Sequence, residues 1–154
     1  MGAATCDRVN RSSKRLGGRL SFLRAVLTTS LTYRGHLVAL SLDGAPAQRM
    51  FLTNVWLANG QYSGGGIRMA PRARLDDSLL DVVCIGDLSR LQKIILLPKL
   101  RSGAFIDLPQ VTYRTARRIE AESEVPVLIE IEGEVIGSLP ATFELISERL
   151  KVIA

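Results

Sequence analysis

The feature that most constrains this chain is a series of short alternating apolar segments cut by glycine and proline at close intervals. After Gly103 the segments QVTYRTARRIEAE, VPVLIEIEG, EVIG, ATFELIS and RLKVIA follow one another, and Gly133, Gly137-Ser138 and Pro140 separate the later ones. Alternation puts successive side chains on opposite faces of a sheet, and breaks this close leave room only for turns. Upstream, HLVALSLD and QRMFLTNVWLAN alternate as well, with Asp43-Gly44 between them as a hairpin signal and Pro46 kept in the turn. In the second of these, Met50, Leu52, Asn54 and Trp56 are expected on one face. LLDVVCIG supplies another strand, with Leu80, Val82 and Cys84 set against Asp81 and Val83. The strands do not alternate with helices, which excludes a βαβ unit. The expected fold is mainly β (α+β), a two-sheet β-sandwich-like domain of about eight strands with two helices.

Two segments carry helical spacing. In residues 13–33, Leu16, Leu20, Leu23, Leu27 and Leu31 recur at intervals of three or four. In LSRLQKIILLPKL the expected buried face is Leu88, Leu91, Ile94, Ile95 and Leu97 or Leu100, and Pro98 should kink or end the helix. A chain of 154 residues, 47% hydrophobic and 23% charged, is one globular domain. Its longest apolar runs, such as Ile94 to Pro98, fall far short of the ~18 residues a membrane span needs. No apolar signal-peptide core follows Met1. The expected layout is a basic arm without fixed structure over residues 1–12 and a β-rich domain over 13–154.

Charge is unevenly placed. Residues 1–34 hold seven basic side chains and one acid, so they carry +6 of a net +5, and the remaining 120 residues sum to −1. Such a patch could meet nucleic acid, anionic lipid headgroups or an acidic partner surface, or simply be a solvated face. Aromatic side chains do not interleave with it, so no nucleic-acid partner is expected. Two cysteines, Cys6 and Cys84, and one histidine, His36, are too few for a disulfide framework or a Cys/His zinc site. The cysteines read as reduced thiols in a cytoplasmic setting. His36 lies in a strand pattern and reads as structural.

Three constellations carry polar chemistry. Gly64-Gly65-Gly66 lacks the spacing of a phosphate-binding loop and reads as a tight turn. Asp76-Asp77 with Asp81 forms an acidic turn that could offer carboxylate and carbonyl oxygens to a hard cation, or simply bond its own backbone. Glu130, Glu132 and Glu134 would project from one face if IEIEGE were a single extended strand. Glu132, beside Gly133, is placed like a general base next to open space. The same glutamates would also serve as a charged sheet edge that deters aggregation.

Taken together, the motifs form a pattern. The run Asn59-Gly60-Gln61-Tyr62-Ser63-Gly64-Gly65-Gly66, then Met69-Ala70-Pro71-x-Ala73, then Leu75-Asp76-Asp77-x-Leu79-Leu80-Asp81-Val82, resembles the diacylglycerol kinase-like lipid kinases. LPKLRSG, the IEGE turn, LPATFELIS and RLKVIA continue the order, so the resemblance covers roughly residues 13–154. It implies the β-rich C-terminal domain of an ATP-dependent kinase that phosphorylates a lipid hydroxyl such as that of diacylglycerol. An N-terminal nucleotide-binding domain with a GGDGT loop would be its partner. It also implies Glu132 as general base, Glu134 as a cofactor-side neighbour, and a structural Mg²⁺ held by Asp77 and the Leu79 carbonyl with Asp76 adjacent. ATP would be bound mainly by the other domain. The chain is expected to be inactive alone, peripheral at a membrane surface, and self-associating through its uncovered docking face. Three departures stand out. Glu132 replaces the family's Asp, Ser78 replaces a usual Gly, and Arg74 stands where some relatives carry another metal-binding Asp. These keep a second reading open, a non-catalytic lipid- or protein-binding module of the same descent.

Overall fold

The computed structural model describes Thr29 and residues 32–146. The basic arm, all but the last turn of the leucine-spaced segment, and the RLKVIA strand lie outside the described residues. At the end of that segment Thr29 and Thr32 are helical, and the Tyr33 amide donates to the Thr29 carbonyl at 2.8 Å.

Nine strands and one α-helix follow. They are β1 (His36–Leu42), β2 (Gln48–Leu52), β3 (Asn54–Ala58), β4 (Leu80–Ile85), α1 (Arg90–Ser102), β5 (Val111–Ala116), β6 (Arg118–Glu122), β7 (Leu128–Ile131), β8 (Glu134–Ser138) and β9 (Ala141–Glu144). Two sheets have the orders β2-β1-β6-β9 and β3-β4-β5, and β7-β8 is a separate hairpin. Every pairing is antiparallel. The mainly β, sandwich-like expectation holds.

Two apparent long strands are each divided. QRMFLTNVWLAN breaks at buried Thr53, whose amide donates to the Ile85 carbonyl at 2.8 Å. QVTYRTARRIEAE breaks at Arg117, where the Arg117 and Arg118 amides both donate to Asp43 Oδ1 at 2.9 Å. In each case the chain leaves one sheet and joins the other, so the corner is built by single residues. The switch also changes which residues face a given core. Met50 and Leu52 pack against the first core, but beyond Thr53 it is Val55 and Leu57 that do so. Trp56 turns to the second core, so Met50, Leu52, Asn54 and Trp56 do not share one face.

β4 separates the two cores. Val82 and Cys84 join Val38, Leu40, Leu52, Ala116, Ile119 and Ala121. Val83 and Ile85 join Met69, Ala70, Ala73, Leu88, Leu96 and Phe105. Both faces of β4 are therefore buried, as expected for the middle strand of a covered sheet. Burial pushes the Cys84 thiol up to about 11, in keeping with an inert core cysteine.

α1 differs from its expected face. It buries Lys93 and Leu96, with Leu97 and Leu100 partly covered, while Leu91, Ile94 and Ile95 face solvent. The residues at 93, 96, 97 and 100 form one stripe, and the core beneath has room for that stripe only. Ser89 caps the helix with a reciprocal Gln92 bond, and the helix runs through Pro98 to a left-handed Gly103. No described helix is long and apolar enough to cross a membrane.

Candidate active site

The acidic turn leads straight into β4. Asp77 Oδ1 accepts from the Leu79 amide at 3.0 Å, an Asx-type bond that shapes the approach to the strand. Ser78 between them has φ +59°, a left-handed conformation that favours glycine. Asp76 is turned elsewhere, with Oδ1 3.3 Å from Arg74 Nε on the exposed surface. Arg74 thus neutralises one of the two adjacent acids.

Asp81 is the buried member of this group, 1% exposed. Its Oδ1 accepts from the Tyr113 hydroxyl at 2.6 Å, and its Oδ2 has no hydrogen-bond partner among the described residues. Burial pushes the Asp81 carboxyl up and Asp77 adds repulsion, while the Tyr113 bond works in the opposite direction. The Tyr113 hydroxyl in turn accepts from the Arg72 amide at 3.2 Å, and the Arg72 guanidinium lies 5.2 Å from the Tyr113 ring centre. Burial is the main cause that holds Tyr113 well above its ordinary range. Sequence reasoning missed Tyr113. The available signal was its place in an alternating strand, which says nothing of a partner 32 residues away.

The glycine run is a 3-10 turn over Gly64–Gly66, closed by a bridge between Ser63 and Ile67. Gln61 anchors the loop. Its side chain donates to the Ala73 carbonyl at 3.2 Å and accepts from Arg68 at 2.9 and 3.2 Å. The NGQYSGGG and MAPRA motifs are therefore one folded unit beside the acidic turn.

The third constellation sits elsewhere. β7 and β8 are joined by Glu132-Gly133, with φ +50° and +87°. Positive φ at both central residues marks a primed two-residue hairpin turn, which favours Asn, Asp or Gly over Glu. Glu130 Oε1 accepts from the Gly133 amide at 2.8 Å and pins the turn. Register pairs Ile131 with Glu134 and Glu130 with Val135. Directly paired residues share a face, so Glu130 and Glu134 project to opposite faces and Glu132 occupies the tip. The single extended strand with three glutamates on one face does not form, because the chain reverses at Glu132. Glu132 and Glu134 are exposed, and so are Leu128, Ile131, Val135 and Ile136 of the same hairpin. His36, by contrast, meets Tyr33 edge-on at 5.7 Å.

Among the described residues no group of three or more His, Cys, Asp or Glu converges as a metal-ligand set. The donors at this turn, the Asp77 carboxylate and main-chain carbonyls, are of the hard oxygen type that Mg²⁺ takes. The structure brings Asp77, Leu79 and Asp81 together, turns Asp76 toward Arg74, and puts Glu132 and Glu134 on the separate hairpin.

Residues 1–154, the whole chain, match the family described as the YegS C-terminal NAD kinase beta sandwich-like domain. The chain belongs to this family. A diacylglycerol kinase of Mycobacterium tuberculosis (strain H37Rv) is 28% identical over 147 residues, covering 96% of this chain and 47% of that protein. A "Probable lipid kinase YegS-like" of Stenotrophomonas maltophilia (strain K279a) is 30% identical over 97 residues, 62% of this chain and 31% of that protein. A solved Bacillus anthracis (strain Sterne) structure superposes with a TM-score of 0.66 at 21% identity, over 95% of this chain and 48% of that one. The last likeness concerns the fold alone. The chain spans about half the length of the family diacylglycerol kinase it matches.

Proposed function

We propose that this chain is the substrate-side domain of an ATP-dependent lipid kinase, completed by an N-terminal nucleotide-binding domain. The observation that carries the reading is Glu132. It is one of three non-glycine residues with positive φ among the described residues, and Ser78 of the acidic turn is another. A glutamate held at a hairpin tip against its own preference is a strain that functional positions tolerate. Its exposed carboxylate can accept the proton of an attacking lipid hydroxyl, the role of a positioned base in phosphoryl transfer. Glu134, first residue of β8, would stand beside it as the cofactor-side neighbour. The exposed apolar side chains of the hairpin are suited to contact with the nucleotide-binding domain.

Asp77 and the Leu79 carbonyl would hold a structural Mg²⁺, with Asp76 drawn aside by Arg74. Bound there, the ion would add positive charge beside the buried Asp81 carboxyl. ATP would be held by the partner domain, since Gly64–Gly66 opens no helix. Mg²⁺ should raise the thermal midpoint of this chain, and Asp77→Asn should remove that shift. An unshifted midpoint at millimolar Mg²⁺ would argue against the metal.

The test of function is co-expression with a family N-terminal domain that binds ATP, followed by an assay of diacylglycerol phosphorylation. Glu132→Gln should lower the rate by about 10²–10⁴-fold. No phosphorylation of any lipid alcohol by a complex that binds ATP would defeat the kinase reading. The non-catalytic module is favoured by one observation, the misfit of glutamate at a turn suited to aspartate. A large gain in Glu132→Asp would mean that the native site is impaired.

A further inference from the structure

α1 is apolar on two opposite sides. Lys93, Leu96, Leu97 and Leu100 face the second core, and Leu91, Ile94 and Ile95 face solvent at 66%, 44% and 53% exposure. At 3.6 residues per turn, positions 91, 94, 95 and 98 form one outer stripe. Arg90 and Arg101 fall along one edge of that stripe, and Lys99 lies along the other. The thirteen residues RLQKIILLPKLRS contain four cations and no acid. A soluble helix normally turns such a face inward. An apolar stripe edged by cations is the pattern of a helix lying in the interface of a bilayer.

Charge favours one occupant. A second copy would set cations against cations. The nucleotide-binding domain proposed above would dock on the β7-β8 hairpin, which borders the first core through Val127 and Leu139, whereas α1 covers the second. At the start of α1 a cavity of about 330 Å³ is lined by Arg34, Arg90 and Lys93, with Phe51 beside them and Asp87 as the one acid. Lys93 Nζ donates to the Tyr33 carbonyl at 2.7 Å, which fixes that wall. Arg90 and Arg34 thus add positive charge at the start of the apolar stripe, as Lys99 and Arg101 do at its end, which suits headgroup phosphates.

We propose that the outer face of α1 docks this protein on an anionic phospholipid surface, with Leu91, Ile94 and Ile95 entering the interface and Arg90, Arg101 and Lys99 meeting the headgroups. The choice of a bilayer as partner rests on the lipid-kinase reading. The test is co-sedimentation of the full chain with vesicles of mixed phosphatidylglycerol and phosphatidylcholine, against phosphatidylcholine alone. The anionic vesicles should bind it, and binding should weaken with salt. Leu91→Asp with Ile95→Asp should lower partitioning at least about tenfold. Arg90→Gln and Arg101→Gln should each lower it about fivefold. All four side chains are exposed, so circular dichroism should be unchanged. Ile95→Ser is the milder variant if the double aspartate misfolds, and it should still lower binding.

Vesicle binding untouched by every α1 variant and lost only when the cations of residues 1–28 are neutralised overturns the proposal. So does lipid-free self-association that the α1 variants abolish, with no vesicle binding. Failure of this surface is separable from failure of the kinase reading. A two-domain enzyme that phosphorylates detergent-dispersed diacylglycerol, from a chain that binds no vesicle, defeats only the docking. Vesicle binding through α1 without phosphorylation defeats only the kinase.

Discussion

β4 and β8 show how differently one small domain can hold its polar chemistry. Five of the six residues of β4 are buried, and the acidic turn feeding it ends on Asp81, enclosed and bonded to Tyr113. All five residues of β8 are exposed, and the turn feeding it ends on Glu132 and Glu134, in open solvent. The first region is enclosed by packing within this chain. The second has surface and carboxylates but no cover. A base in open water lacks the dry, fixed surroundings that make proton transfer effective. The contrast fits the proposal that another domain would complete the site.

The contrast can be broken by mutation. The largest effect is expected in the β4 region. Ile85→Ala, at 3% exposure, should cost about 2–5 kcal/mol in urea unfolding. Equal tolerance of Ile85→Ala and Ile136→Ala would dissolve the distinction.

Two left-handed glycines sharpen it. A Cβ on Gly103, φ +78°, would run into the Pro71 ring, whereas one on Gly133, φ +87°, would meet open space. Both alanines carry the backbone cost of about 1 kcal/mol. Gly103→Ala adds a steric clash and should cost about 2–3 kcal/mol in all. Thermal melts of the pair would measure the difference.

Asp81 supplies a pH signature. Its folded carboxyl is raised from 3.8, so its stabilising protonated form is fully present below that value. That contribution is lost as pH rises through the raised folded value. Asp81→Asn keeps an acceptor for Tyr113 and removes the charge. The variant should match the parent near pH 3 and be the more stable of the two at pH 7. A constant difference across that range would show that charge is not the cause.

The smallest effect belongs to the hairpin. Ile136→Ala, at 60% exposure, should shift stability by less than about 0.5 kcal/mol in this chain. In the two-domain complex the same change should weaken association, read by titration calorimetry. An unchanged affinity would remove the hairpin from the docking surface.

By itself the sequence determined the fold class, most strand positions and the residue types of both polar regions. Period-two alternation, Asp43-Gly44 and the Gly133 turn are local signals that the backbone obeys directly. The family resemblance singled out Asp77, Leu79, Glu132 and Glu134 as expectations only. Only the tertiary structure decided where long strands divide. Thr53 and Arg117 look like ordinary strand residues, and what splits them is bonding to Ile85 and Asp43, distant in sequence. It also decided which side of α1 is buried. Periodicity pointed inward with Leu91, Ile94 and Ile95, but both sides are apolar, and the second core accepted Leu96 and left those three outside. The physical reason is the same in each case. Local pattern is set by side-chain direction along the chain, but burial is set by the space that distant segments leave.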